Sequence, residues 1–182
     1  MTLPASVEGR ERLRLFCAIR LPDDVLEELV EWGARHLAEP VVMRANIHIT
    51  LAFLGHRPAA ELDAIVAATG EAAAAAAPIR LEPLRYRETR SVGMLVLADE
   101  GDAATRLAED LFGRLEALGI YRREQRRWLP HLTVVRFRRP PRLDPPLPAL
   151  GPFSPSDAAV YHSVLRSTGA QYEVVQSFAL GG

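Results

Sequence analysis

The feature that most constrains this chain is a short pattern written twice. Residues 46–55 read NIHITLAFLG and residues 130–137 read PHLTVVRF. Each gives a histidine, an apolar residue and a threonine at the head of an apolar run. Side chains on a strand alternate between its two faces. His48 and Thr50 therefore share one face, with Ile49, Leu51 and Phe53 opposite, and His131 and Thr133 share one face, with Leu132 and Val134 opposite. One such triplet carries little information, because threonine favours strands for its own reasons. Five histidines and seven threonines among 182 residues would give about 0.2 such triplets by chance, so two copies amount to roughly one accident in fifty. Both copies also open an apolar strand, and a phenylalanine follows in each (Phe53, Phe137). The chain must therefore fold so as to use two similar strands.

The segments between them fit that requirement. Residues 12–22 read as a strand stopped at Pro22, and 23–37 as an amphipathic helix with Asp23 or Asp24 as N-cap. A strand over 46–54 follows. Residues 58–77 read as a second helix, begun at Pro58 and stopped by Pro78, its alanine run being a helix former. Residues 79–88 and 92–99 form two strands joined by a turn at 89–91. A third helix covers 102–119 and ends at Gly119. The second His-x-Thr strand runs over 131–138. The proline-rich stretch 140–148 is irregular surface chain, and strands near 156–166 and 171–180 close the sequence. This order implies an α+β fold with mainly antiparallel sheet and a weak internal duplication. Stricter strand-helix alternation would be needed for a doubly wound sheet, and no glycine-rich phosphate loop of the common types is present.

Composition narrows the function classes. Hydrophobic residues make up 48% and charged residues 25%, which is ordinary for a globular domain. No apolar run reaches the roughly 20 residues of a membrane helix, and the first residues lack the basic-then-apolar order of a secretory signal. A cytoplasmic monomer is expected, with 1–11 as a flexible tail and 12–182 as a single domain. The lone Cys17 lies in an apolar strand and reads as a small buried thiol. Net charge is −1, but between residues 114 and 142 nine arginines face two acids, Glu116 and Glu124. That window contains the second histidine motif and is either a solvated face or part of an anion site.

An imidazole beside a hydroxyl suits phosphate chemistry. One histidine can be neutral and act as base while the other is protonated and acts as acid, and each threonine hydroxyl can donate to a non-bridging phosphate oxygen. No cofactor and no metal is required. Zinc would want three or four protein ligands; threonine is not a usual one, no His-x-His, Cys pair or His-Glu-x-x-His is present, and nothing in the spacing of His36, His56 and His162 joins them to the pair.

Paired His-x-Thr strands in a chain of this length resemble the two-histidine (2H) phosphoesterase superfamily, and within it the RNA 2′,3′-cyclic phosphodiesterases, formerly called 2′-5′ RNA ligases. The resemblance runs from about residue 13 to 180. RLFCAIRLPDDV is similar to the family's opening strand and helix start, NIHITLAFLG and PHLTVVRF to its two signature strands, and AVYHSVLRSTGAQYEVVQSFAL to its closing hairpin. The resemblance implies a bilobal fold of two mainly antiparallel sheets with pseudo-twofold symmetry, helices packed outside and the active site in the cleft between lobes. It implies metal-independent hydrolysis of an RNA 2′,3′-cyclic phosphate end, or of a small cyclic nucleotide, to a 2′-phosphomonoester. His48 would then be the proton donor and His131 the proton acceptor, with Thr50 and Thr133 holding the phosphate. Arg136 matches a basic position of the family, although an ideal strand would turn it away from His131 unless a bulge intervenes. Two departures bear on base and ribose recognition: Tyr161-His162-Ser163 stands where many relatives have Tyr-Arg-Ser, and 41–45 lacks a tryptophan found there in relatives. Trp128 could stack on a base or cap the core, and Phe16 could line the cleft but reads first as core. The alternatives are a 2′-5′ oligonucleotide phosphodiesterase or ligase using the same site, and a non-catalytic module that binds RNA ends through the arginine window.

Overall fold

The computed structural model of the protein describes residues 4–37, 41–167 and 169–181. Its elements follow in chain order as β1 (Arg12–Arg20), α1 (Asp23–His36), β2 (Ile49–Pro58), α2 (Leu62–Ala74), β3 (Leu81–Glu88), β4 (Val92–Asp99), α3 (Ala103–Ala117), β5 (His131–Arg136), β6 (Asp157–Arg166) and β7 (Gly169–Ala179). They form two antiparallel sheets. One has four strands in the order β2-β1-β6-β7, and the other three in the order β3-β4-β5. The expected α+β, two-sheet architecture is what the chain adopts.

Local chemistry explains most of the element ends. Apolar residues recur on α1 at Val25, Leu29, Trp32 and Gly33, the spacing of one helical face, and these are the buried ones. Asp23 and Asp24 sit in its first turn and Arg35 and His36 in its last, matching the helix dipole. Neither aspartate caps the helix, contrary to expectation: Pro22 is the N-cap residue and no side chain bonds there. Asp23 instead pairs with Arg44 at 2.6 Å. The second helix starts at Leu62 rather than 58, because β2 continues to Pro58, which pairs with Arg12, and a short 3-10 turn at Ala59–Glu61 intervenes. On α3 the Asp99 carboxylate accepts from the Ala104 and Thr105 amides at 3.0 and 2.8 Å, satisfying two of the orphan donors of the first turn. That helix ends as expected at Gly119, whose φ of +69° a residue with a Cβ adopts only under strain. The amides of Gly119 and Ile120 return to Glu116 and Leu115, so the last carbonyls are not left bare.

One continuous apolar cluster runs through both lobes, including Leu15, Ile49, Leu95, Leu111 and Leu132. The strands flanked by a neighbour on both sides, β1, β6 and β4, carry the longest buried runs. Cys17 is buried in this core, with its sulfur 3.4 Å from the Thr69 hydroxyl. Burial pushes its thiol up to about 11, which suits an inert structural thiol rather than a nucleophile. Residues 4–11, read above as a loose tail, include a turn at 5–9 that buries Val7. Ser6 Oγ lies 3.0 Å from His162 Nδ1. Among the described residues no helix is long and apolar enough to cross a membrane.

Candidate active site

The two histidine motifs end up on neighbouring edges of the two sheets. Their surroundings match position for position: along 48–53 and along 131–136 the exposure runs half-buried, buried, half-buried, buried, buried, exposed. Two successive buried residues break strict alternation, and the pairing shows why. In β2, Thr50 pairs with Ala18 and Ala52 with Cys17, so Leu51 is an extra residue. In β5, Thr133 pairs with Met94 and Val135 with Gly93, so Val134 is extra. Each is a β-bulge three residues after its histidine, and each reverses the alternation beyond it. Phe53 and Arg136 are thereby carried onto the same face as His48 and His131. The condition attached to Arg136 from sequence, that a bulge must intervene, is met.

His48, Thr50, His131, Thr133 and Arg136 line one cavity of about 700 Å³. The edges that supply them are held together by backbone contacts: the Val42 amide donates to the Val134 carbonyl at 2.9 Å, and Val41 bridges Val135. The indole N–H of Trp128 donates to the Thr50 carbonyl at 3.0 Å. Trp128 therefore ties the loop before His131 to the strand after His48. It does not line the cavity, so the base-stacking alternative gives way to a bracing one.

The rest of the wall divides by sheet. The four-stranded sheet supplies Arg14, Phe16, Phe53 and Tyr172. Phe16 stacks on Tyr161 at 4.8 Å between centroids, and His48 sits 4.9 Å from the Phe16 ring. Arg14 lies over the Phe53 ring at 4.9 Å and donates to Ser163 Oγ at 2.9 Å. Phe16 is thus both core and cleft floor. Phe53 is 51% exposed and Met43 63%, which leaves apolar surface open in the cavity for a flat ligand. The three-stranded sheet supplies the hydroxyl of Thr133, the imidazole of His131 and the guanidinium of Arg136.

Each imidazole is fixed by the backbone two residues before it. His131 Nδ1 lies 2.8 Å from the Leu129 carbonyl. A carbonyl only accepts, so Nδ1 carries the hydrogen, and Nε2 is left free to take a proton. His48 makes the corresponding bond to the backbone of Asn46, and Asn46 is itself held by the Ala170 carbonyl at 3.2 Å. Burial among aromatic rings pushes His48 down to about 4. The Asn46 bond opposes this, and the positive charges of Arg136 and of protonated His131 add to the depression.

The arginine window divides in the structure. Arg114, Arg123, Arg126 and Arg127 are paired with carboxylates, so that half is a solvated, locally neutralised surface. Arg136 lines the cavity. His162 is 2% exposed and bonded to Ser6 rather than placed in the cleft. The sequence reading missed Arg14, Phe53, Met43 and Tyr172 as cavity residues. The equal offset of Phe53 and Arg136 from their histidines was the available signal. Among the described residues no three His, Cys, Asp or Glu side chains group as metal ligands.

Comparison with known proteins bears on the family and the fold. Residues 21–170 match the family model described as the 2′-5′ RNA ligase superfamily. The chain is 33% identical to an RNA 2′,3′-cyclic phosphodiesterase of Thermus thermophilus, over 93% of this chain and 91% of that one. The fold superposes on the crystal structure of TT0787 of Thermus thermophilus with a TM-score of 0.76 and 30% identity, covering 92% of this chain and 98% of the other. It also superposes on Escherichia coli LigT complexed with 3′-AMP, with a TM-score of 0.80 and 24% identity, over 94% and 100% of the two chains. With its twin histidine strands in one cleft and a family match across most of its length, the chain belongs to the 2′-5′ RNA ligase superfamily.

Proposed function

We propose that this protein hydrolyses RNA 2′,3′-cyclic phosphate ends to 2′-phosphomonoesters by a metal-independent, two-histidine mechanism. The observation that carries the reading is the convergence of both His-Thr pairs and Arg136 on one cavity. The relatives named RNA 2′,3′-cyclic phosphodiesterase support the substrate class.

In this reading the cyclic phosphate sits against the Thr50 and Thr133 hydroxyls, with the Arg136 guanidinium balancing its charge. His131 Nε2 takes a proton from water as the water oxygen bonds to phosphorus. The phosphorus–O3′ bond breaks, and His48 delivers a proton to the departing O3′. The products are a 2′-phosphate and a 3′-hydroxyl, and one proton has passed from water to O3′ through the two imidazoles. His48 is neutral in the empty cleft at pH 7, so its role as acid depends on the substrate. The phosphodiester anion brings the negative charge that favours the imidazolium. The same site run with a 5′-hydroxyl in place of water would join ends through a 2′-5′ linkage, which is the second reading and the one the family description favours.

The test is product identity. A short RNA ending in 2′,3′-cyclic phosphate is incubated with the protein, and the product is compared chromatographically with 2′- and 3′-phosphate standards. The proposal expects the 2′-phosphate alone. A 3′-phosphate product, or no turnover, contradicts it.

A further inference from the structure

The face of the three-stranded sheet that carries His131 and Thr133 does not stop at the cavity. Cross-strand partners project to the same face, and the register follows that face outward. Thr133 pairs with Met94 on β4, and Met94 pairs with Arg87 on β3. His131 pairs with Val96, and Val96 with Arg85. A bulge at Leu84 in β3 sets this phase: Pro83 pairs with Leu97 and Arg85 with Val96, so the extra residue turns both arginines to the cleft side while Tyr86 and Glu88 face the other way. Arg85 and Arg87 therefore stand two strands out from the histidine row, about 10 Å at the usual strand spacing. Both are exposed, and neither forms an ion pair with a described residue. Met94 and Val96, the β4 residues that separate them from the histidine row, are apolar and buried.

The chain leaving β5 extends this positive ground. The Phe137 amide bonds to the Ser91 carbonyl at 3.0 Å, and the Glu88 carboxylate accepts from the backbone amides of Arg142 and Leu143 at 2.9 and 2.8 Å. Exposed Arg90 and Arg138 are brought to one edge of the sheet, beside Arg136. Of the two carboxylates on β3 near this row, Glu88 lies on the opposite face and is engaged in those bonds, while exposed Glu82, which pairs with Ala98, shares the arginine face at the end beyond Arg85, so the positive ground runs from Arg85 towards Arg87, Arg90 and Arg138. A row of unpaired guanidinium groups leading away from a phosphate site fits a chain of further phosphates.

We propose that Arg85 and Arg87 form a phosphate track for the RNA strand on the 5′ side of the reacting end, so that the preferred substrate is an oligonucleotide rather than a cyclic mononucleotide. This rests on the reading of the cleft as a cyclic-phosphate site and adds the strand beyond it. Phosphate contacts of this kind position a strand without reading its bases, and for single strands each contributes about 0.7 to the slope of log affinity against log salt.

The experiment uses the whole protein, wild type beside Arg85→Gln/Arg87→Gln and Arg85→Glu/Arg87→Glu, with thermal melts to confirm folding. Two substrates are compared, cytidine 2′,3′-cyclic phosphate and a ten-nucleotide RNA ending in the same group. The track predicts kcat/KM falling at least tenfold on the RNA and less than twofold on the mononucleotide. Binding of a fluorescent ten-nucleotide RNA with a 2′-phosphate end is followed by anisotropy across salt concentrations. Its slope should drop by about 1.4 in the glutamine variant, two contacts at about 0.7 each. Equal losses on both substrates, or an unchanged slope, overturn the track. Should wild type turn over neither substrate, the hydrolase reading fails, and the anisotropy slope still decides whether the arginines hold RNA.

Discussion

Filling the cleft with a phosphate monoester is expected to raise the pKa of His48 by more than one unit. In the empty protein, burial against Phe16 and Tyr161, with Arg136 and His131 beside it, holds the imidazole down from 6.5 to about 4. At about 1.4 kcal/mol per pH unit, that displacement is worth about 3 kcal/mol in favour of the neutral ring. The sign of the linked effect on stability follows. The folded pKa lies below the unfolded one, so between about 4 and 6.5 the unfolded chain holds the extra proton. Stability is full above 6.5 and is lost as pH falls towards 4. From pH 7 to pH 5 this one group should remove at most about 2 kcal/mol, an upper figure because His48 keeps part of its surface on the cleft. Urea unfolding at the two pH values, in wild type and in His48→Gln, isolates the contribution as the difference of differences. Two-dimensional NMR then follows the His48 ring through pH with and without 2′-AMP. A free-protein His48 titrating near 6.5 would refute the burial argument. One that stays near 4 with 2′-AMP bound would remove His48 as proton donor.

Other consequences are open to direct measurement. Arg136→Ala should lower kcat/KM on a cyclic-ended substrate by roughly 10- to 100-fold, the usual scale for one charge-assisted hydrogen bond, and a loss under threefold would place the guanidinium outside the reaction. Trp128→Phe removes the bond to the Thr50 carbonyl and should cost about 1 kcal/mol in chemical unfolding, together with a fall in kcat from the loosened bracing of the two strands. Gly93→Ala should destabilise strongly, because the new Cβ would fall 2.1 Å from the Tyr86 hydroxyl and 2.6 Å from Val135 Cγ1. Gly113→Ala in α3, where nothing lies within 4 Å, should stabilise by roughly 0.5–1 kcal/mol. Melting temperatures that move the same way for both glycines would contradict that contrast.

Much of this arrangement was legible in the residues because the signals were periodic or paired. The two His-x-Thr triplets specify which side chains share a face, and helix periodicity with Gly119 and the proline stretch gave most element limits. The bulges were not legible. Leu51 and Val134 look like ordinary strand residues, and their extra place in the register appears only once β1 and β4 supply the pairing partners. Strict alternation therefore put Phe53 on the wrong face and left Arg136 conditional. The start of α2 was misplaced because Pro58 is compatible with a helix N-terminus, whereas pairing with Arg12 at the strand end wins. Trp128 was ambiguous for a different reason: an indole serves a base stack and a backbone bracket equally well, and only the position of the Thr50 carbonyl separates them. The charge count of the arginine window could not foresee that carboxylates elsewhere in the chain, Glu71 and Asp102 among them, would neutralise half of it.

The most direct test of the twin-histidine account is hydrolysis of a cyclic-ended RNA in EDTA by wild type, His48→Ala and His131→Ala, with folding of each checked by circular dichroism. The account predicts turnover by the wild type without added metal, and losses of at least about 100-fold in each folded variant, the scale of one acid or base catalyst. Activity in either variant close to that of the wild type would contradict it.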